Sequence, residues 1–192
     1  MKNNINSIKE FWNVKAEKYG SSASATLSEI AVRYLEINEI GKYIKNGYNV
    51  LDVGCGKGFL LTEIRKLLPG CSLEGIEISQ HAIEEIRERG EAKVIKHDAA
   101  TPYPFSNDTF DLVISLGCLH NLTLPRLEVA LSEIQRVGRA GYVMMESYRN
   151  ESELFNLQCW ALTAESFLDP DEWRWVFCHC GYQGDYEFIF FE

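Results

Sequence analysis

A doubly wound α/β fold with a mostly parallel sheet is what this sequence predicts, and three observations carry that prediction. Apolar runs of strand length alternate regularly with stretches of helical period between Tyr48 and Glu146. The helical stretches run to roughly ten to thirteen residues, the length of a crossover connection. The run Val50-Leu51-Asp52-Val53-Gly54-Cys55-Gly56-Lys57-Gly58-Phe59 reads as a buried strand that breaks into a glycine turn and opens a helix. Strands joined by right-handed helical crossovers make a parallel sheet covered on both faces.

Two helices are expected before the first strand. Ser7-x-x-Glu10 has the form of a capping box, and Ile8, Phe11, Trp12, Lys15 and Tyr19 then share one stripe, so a helix is placed over 8–19. Gly20 to Ala25 is small and polar, a loop. Thr26-x-x-Glu29 is a second box, after which Leu27, Ile30, Ala31, Tyr34 and Leu35 repeat at helical intervals toward Gly47. A strand follows near 49–54, then a helix near 57–68 closed by Pro69-Gly70, a strand near 72–78, a helix from Ser79 to Gly90 and a strand at 93–97. Phe110 to Leu116 is an unbroken apolar run of the kind a central parallel strand needs, Pro125 starts a helix that reaches about Val137, and Gly141 to Glu146 is the next strand. The pattern lapses from Ser147 to Leu168, where Leu154, Phe155, Leu157, Cys159, Trp160 and Leu162 suggest a helix or an irregular cover. Asp169-Pro170-Asp171-Glu172 places a cap, a first-turn proline and a returning carboxylate in order, giving a helix to Gly181. Tyr186 to Phe191 closes the chain as one strand or a tight pair. With no internal repeat and no linker, the reading is a single domain over 1–192, with residues 1–48 helical and 49–192 the sheet core.

Composition narrows the function. The 192 residues are 46% hydrophobic and 24% charged, the range of an ordinary globular chain with its own core. Nineteen Lys and Arg against 28 Asp and Glu leave a net charge of -9, which repels a polyanion, and no basic patch offsets it; nucleic acid is not an expected partner. The alternating charges of Glu84 to Arg89 suit a solvated helix face. Met1 to Asn6 lacks the apolar core of a secretory signal and no apolar run approaches membrane-spanning length, so a cytoplasmic protein without a membrane partner is expected. The six cysteines form no Cys-x-x-Cys pair and sit mostly in apolar segments, as reduced thiols do. Cys178-His179-Cys180 points its side chains apart around a helix, and no metal is expected.

The chemistry lies at the carboxyl ends of the strands, where an open parallel sheet holds its ligands. A dinucleotide brings a pyrophosphate, which wants bare N–H groups and a helix N-terminus and is repelled by a carboxylate beside the turn. S-adenosylmethionine brings no phosphate; it carries an ammonium and a sulfonium, which an acid such as Asp52 attracts. The dinucleotide fingerprint also requires a third glycine after two intervening residues, and Phe59 stands there. Glu77, 23 residues past Gly54, ends the second strand where an acid meets ribose hydroxyls. Asp98 and the Ala99 N–H are placed to meet an adenine edge, with Ile78 packing on the purine. A plainer reading gives Glu77 and Asp98 to helix and turn caps.

These residues resemble the class I S-adenosylmethionine-dependent methyltransferases, through Val50 to Gly58 and again through Phe105-Ser106-Asn107-Asp108-Thr109-Phe110-Asp111-Leu112-Val113. The resemblance covers about residues 48 to 146. It implies S-adenosylmethionine as cofactor, with Asp52, Gly54, Cys55 and Gly56 at its methionine end, Glu77 and Ile78 at the ribose and purine, Asp98 and Ala99 at the adenine, Leu116 lining it through its backbone, and the N-terminal helices, with Trp12 and Tyr19, as a lid. Aspartate is common where Glu77 stands; the longer carboxylate keeps the role.

The methyl acceptor is read from residues beyond that region. His120 follows the fourth strand, where it serves either as a base or in packing and shaping the cofactor site. Glu146, Tyr148 and Arg149 at the fifth strand end, with Trp160, are the acceptor-site candidates. Arg149 either clamps an acidic acceptor or pairs with Glu151 and Glu153, and Trp160, Trp173 and Trp175 serve as packing or as a stacking platform. The expected activity is methyl transfer to oxygen or nitrogen of a small molecule such as a sugar or other polar metabolite, by a monomer or homodimer. Three alternatives stand beside it: a nicotinamide-dependent oxidoreductase on a related fold, a non-catalytic cofactor-binding subunit, and an enzyme whose acceptor is a protein or RNA.

Overall fold

The computed structural model describes residues 42–90 and 92–191. The helices expected over 8–19 and from Thr26, with Trp12 and Tyr19, lie outside the described residues. The doubly wound parallel sheet expected from the sequence is present as six strands distributed over two compact units, one ending at Asp98 and the next beginning at Ala99.

The first unit runs β1 (Asn49–Val53), α1 (Phe59–Leu67), β2 (Ser72–Glu77), α2 (Gln80–Arg89) and β3 (Lys93–Lys96). Its strands lie in the order β3-β2-β1, both pairings parallel. Val50, Leu51 and Val53 are fully buried, and this is why β1 reads as a continuous apolar run rather than an alternating one. The register sets Asp52 beside Gly75 and Val53 beside Ile76, so the two strands end level and deliver the glycine turn and Glu77 to the same edge. α1 lays Leu60, Leu61 and Ile64 on the sheet. It starts two residues later than the spacing predicts, because Gly58 is still left-handed, at φ +73°, and serves as the N-cap. The limits expected for α2 are met by its caps: Ser79 Oγ accepts from the Ala82 N–H at 3.3 Å, and Gly90 closes the helix at φ +68°.

The second unit runs β4 (Leu112–Leu116), a 3-10 turn (Leu119–Asn121), α3 (Leu124–Val137), β5 (Gly141–Glu146), α4 (Glu151–Trp160), α5 (Pro170–His179) and β6 (Asp185–Ile189), with strand order β4-β5-β6 and both pairings parallel. Phe110 makes only a bridge to Gly138, so β4 begins at Leu112 and not at the head of the apolar run. Its core joins Val113 and Ile114 to Leu127, Leu131, Ile134, Val143, Met145 and Trp173. The lapse from Ser147 resolves into α4, capped by Asn150 Oδ1, which accepts from the Glu153 N–H at 3.0 Å. Its apolar residues point in several directions: Leu157 is buried while Phe155 and Trp160 are exposed, so no helical stripe shows in the sequence. α5 has the expected capping box, with Asp169 Oδ1 accepting from the Asp171 and Glu172 N–H groups and Glu172 Oε2 accepting from the Asp169 N–H. The terminal segment is one strand, which begins at Asp185 and stops where Ile189 meets Glu146, the last residue of β5.

Among the described residues no helix is long and apolar enough to cross a membrane, and no group of three or more His, Cys, Asp and Glu is placed to hold a metal ion.

Candidate cofactor and acceptor sites

At the carboxyl edge of β1 and β2 the chain turns through Gly54, Gly56 and Gly58, at φ +76°, +52° and +73°. Residues with a Cβ reach these angles only under strain, so the spacing of the glycines is the spacing of the turn. The Gly54 and Cys55 N–H groups donate to the Ile76 carbonyl at 2.9 and 3.2 Å, tying the turn to β2. Glu77 completes the tie. Its Oε2 accepts from the Gly56 N–H at 2.9 Å and its Oε1 from the N–H groups of Ile78 and Ser79, both at 2.7 Å. A carboxylate offers about four acceptor positions. Three are used by the backbone, which makes Glu77 first a clamp on the turn and leaves Oε2 the oxygen with room for a further donor.

Asp52 is buried behind this clamp. Its carboxyl is pushed up to about 7, by burial first and by the neighbouring Glu77 carboxylate second. Burial also raises Glu77, against the three N–H bonds that favour its charged form. The turn's own lysine is engaged elsewhere, Lys57 Nζ being bound to Glu85 Oε1 of α2 at 2.7 Å, and the Arg89 guanidinium donates to the Lys57 carbonyl. The site is therefore an acid-lined bend without a phosphate-binding lysine. A ligand carrying positive charge and no phosphate fits it, and the open space beside Gly56, where a Cβ would meet nothing within 4 Å, is where one can approach.

The structure brings Asp52, Gly54, Cys55, Gly56, Glu77 and Ile78 to this one edge. Cys55 turns its Sγ inward, 4.0 Å from the Gly56 carbonyl that accepts from it and 2.6 Å from where a Cβ on Gly75 would stand. Gly75 is thus part of the turn's support that sequence reading passed over; a glycine inside a strand was the available signal. Asp98 is half-buried at the end of the first unit. In the second unit Ala99 and Leu116 are half-buried, and the Ala99 carbonyl accepts from Tyr103 Oη at 3.1 Å.

In the second unit a separate constellation forms at the end of β5. His120 and Glu146 are both buried, and the imidazole Nδ1 stands against the Glu146 Oε2, although neither atom has a hydrogen-bond partner among the described residues. Gly117, after β4, makes room for this pair. It sits at φ +62°, and a Cβ there would lie 3.1 Å from Glu146 Oε1. Sequence reading missed it, although a glycine directly after an apolar strand run was visible. The 3-10 turn that carries His120 is pinned by its own carbonyl, which accepts from the Glu165 and Ser166 N–H groups at 3.0 and 3.1 Å. Trp160, exposed, stands with its ring centroid 6.3 Å from that of His120 and 4.8 Å from that of Phe191.

The other acceptor-site candidates diverge from this group. Arg149 pairs with Glu153, its Nε 2.9 Å from Oε1, and lies 4.2 Å above the centre of the Phe190 ring. Tyr148 is half-buried, and burial together with Glu172 and Asp169 raises its phenol. Trp173 is fully buried, with its indole N–H donating to the Glu146 carbonyl at 3.1 Å, whereas Trp175 lies on the surface stacked against His179.

Comparison with known proteins bears on these sites. A family of methyltransferase domains matches residues 44–190. YrhH of Bacillus subtilis strain 168, a methyltransferase by name, is 27% identical over 189 residues, covering 94% of this chain and 97% of that protein. The ribosomal protein L11 methyltransferase of Cupriavidus pinatubonensis is 35% identical over 97 residues, 50% of this chain and 30% of its own; the chain thus spans only about a third of the length of that enzyme. Among solved structures, an S-adenosylmethionine-dependent methyltransferase from Thermotoga maritima superposes with a TM-score of 0.65 at 18% identity, covering 90% of this chain and 81% of that one.

Proposed function

The chain belongs to the methyltransferase-domain family, and from that premise we propose that it is a class I S-adenosylmethionine-dependent methyltransferase that methylates an oxygen or nitrogen of a small-molecule acceptor, with one domain over its whole length. The observation that carries the cofactor half is the acid-lined glycine bend clamped by Glu77, with Lys57 drawn off to Glu85. When bound, S-adenosylmethionine supplies a methyl group on a sulfonium sulfur. Asp52 attracts its positive charge, the Gly54 to Gly56 backbone admits its amino acid end, and Glu77 Oε2 accepts from a ribose hydroxyl. Ile78, Asp98, Ala99 and Leu116 keep the roles the sequence resemblance implies. A net charge of -9 argues against RNA as acceptor, and a small molecule is preferred on that ground.

The likeness to L11 methyltransferases supports a second reading, in which the acceptor is a protein. Titration calorimetry with S-adenosylhomocysteine and with NAD, followed by transfer of labelled methyl from S-adenosylmethionine into a cell extract, tests both. Binding of the thioether alone and label in the small-molecule fraction are expected. Label on protein would replace the acceptor assignment, and failure to bind S-adenosylhomocysteine would remove the cofactor assignments.

The buried Asp52 makes a further prediction. Its folded carboxyl lies above the ordinary value, so below about pH 7 the empty protein holds a proton there that a cationic ligand must expel. Affinity for S-adenosylhomocysteine is expected to fall as pH drops from 7 toward 5.5, approaching about tenfold per pH unit. Binding near pH 6 should release a proton, seen as a dependence of the calorimetric heat on the buffer's ionisation enthalpy. Asp52→Asn should flatten both curves; if it leaves the slope intact, another group carries the linkage.

A further inference from the structure

We propose that Glu85 is a specificity-determining residue for the cofactor. By holding the Lys57 ammonium it keeps the glycine bend free of uncompensated positive charge, and so raises the bend's affinity for a ligand with a cationic sulfur relative to the neutral thioether left once the methyl has gone. The proposal rests on the S-adenosylmethionine reading and deepens it. From the sequence, the charges of Glu84 to Arg89 suit a solvated helix face; the structure gives two of those residues, Glu85 and Arg89, a contact with the turn.

The turn is held from two sides. On one, β2 supplies the Ile76 carbonyl and the Glu77 carboxylate. On the other, α2 presents three residues to Lys57 and Gly58: Glu85 Oε1 accepts from Lys57 Nζ at 2.7 Å, the Arg89 guanidinium donates to the Lys57 carbonyl, and Ile86 Cγ1 lies 2.9 Å from where a Cβ on Gly58 would stand. The lysine side chain is 12% exposed and that of Glu85 31%, so water and salt screen this pair less than one in open solvent. His81 Nε2 stands 3.0 Å from the same Glu85 oxygen, and Arg89 follows Glu85 by four positions on the helix. Glu85 is therefore the carboxylate at the centre of three basic side chains, and its removal leaves their charge uncompensated beside the turn.

The size of the effect follows from covalent reach. Lys57 stands next to Gly56, the glycine beside the open space, and the length of a lysine side chain added to one Cα step keeps Nζ within about 10 Å of the Gly56 Cα. A unit charge about 10 Å from a cationic ligand, at an effective dielectric near 20, changes its affinity by about tenfold before salt screening. S-adenosylmethionine and S-adenosylhomocysteine share their amino acid, ribose and adenine groups and differ by one methyl and one positive charge. The ratio of their affinities thus reads the charge of the bend, while a change in the shape of the turn weakens both.

Calorimetric titration of the protein with each ligand, at low salt and at about 0.5 M salt, tests this. Glu85→Gln keeps an acceptor for Lys57 Nζ and removes the charge. It should weaken S-adenosylmethionine relative to S-adenosylhomocysteine by about fivefold to tenfold at low salt, shrinking to about twofold or less at high salt. Lys57→Met should move the ratio the other way by a similar factor, and serves if the glutamine variant does not fold. The double variant, with neither charge, should restore the parental ratio. An equal loss for both ligands, a ratio that the substitutions leave unmoved, or a change indifferent to salt overturns the assignment and leaves Glu85 a structural brace. A parent protein that binds neither ligand defeats the underlying cofactor reading, whereas one that binds both, with variants that keep its ratio, defeats the Glu85 proposal alone.

Discussion

Glu77→Ala is expected to weaken S-adenosylhomocysteine binding by about 2 to 3 kcal/mol, roughly thirty- to a hundredfold and more, because it deletes a buried charged acceptor and orphans the donors it served. Three backbone N–H groups, of Gly56, Ile78 and Ser79, converge on this carboxylate. Without it the glycine turn keeps its ties to the Ile76 carbonyl but loses the one that fixes Gly56, the glycine beside the open space. Affinity is therefore expected to fall twice, through the proposed ribose contact and through a turn no longer held in shape. Glu77→Gln separates the two effects. Its amide oxygen can still accept from Ile78 and Ser79, but its amide nitrogen meets the Gly56 N–H donor to donor, so an intermediate loss is expected. Removing Glu77 also removes part of what raises Asp52, so the pH at which affinity declines should move downward in the alanine variant. Calorimetry at several pH values reads all three outcomes. An alanine variant that binds as tightly as the parent would show that Glu77 is only a cap.

Why Glu77 was legible and Gly117 was not follows from where their signals sit. The turn and its acid lie within one βαβ unit, so local spacing states both the backbone conformation and the chemistry: glycines where φ is positive, an acid at the next strand end. The same local character made the caps of α2 and α5 readable at Ser79, Gly90 and Asp169. Arrangements that depend on residues distant in sequence left no such mark. Glu146 meets His120 across 26 positions only because β4 and β5 are neighbours and the 3-10 turn folds back, and a glycine after an apolar run marks a turn at Gly117 without saying which distant side chain needs its empty side. α4 was obscure for another reason. A helix with exposed Phe155 and Trp160 and buried Leu157 has no single apolar face, so the periodicity that announces most helices is absent. Sequence patterns tuned to burial do not record a helix whose aromatics stay exposed.

Trp173→Ala should cost about 3 to 5 kcal/mol of stability, the usual loss when a fully buried large aromatic is truncated. Trp173 has no exposed surface, stacks on Phe177 with ring centroids 6.0 Å apart, and donates its indole N–H to the Glu146 carbonyl. Truncation opens a cavity beneath α5 and leaves that carbonyl without its donor. Trp173→Phe keeps most of the volume and isolates the hydrogen bond, at a cost of about 1 to 2 kcal/mol. Trp175→Ala is the control: two residues along the same helix, largely exposed and stacked on His179, it should move stability by no more than about 0.5 kcal/mol. Urea titration monitored by circular dichroism orders the three. Because the indole holds the backbone of the residue whose side chain faces His120, Trp173→Phe should also disturb the His120 imidazole signals, which a loss of stability spread evenly over the fold would leave alone. A phenylalanine variant as stable as the parent, with those signals unmoved, would mean that the indole N–H fixes neither the end of β5 nor the carboxylate it carries.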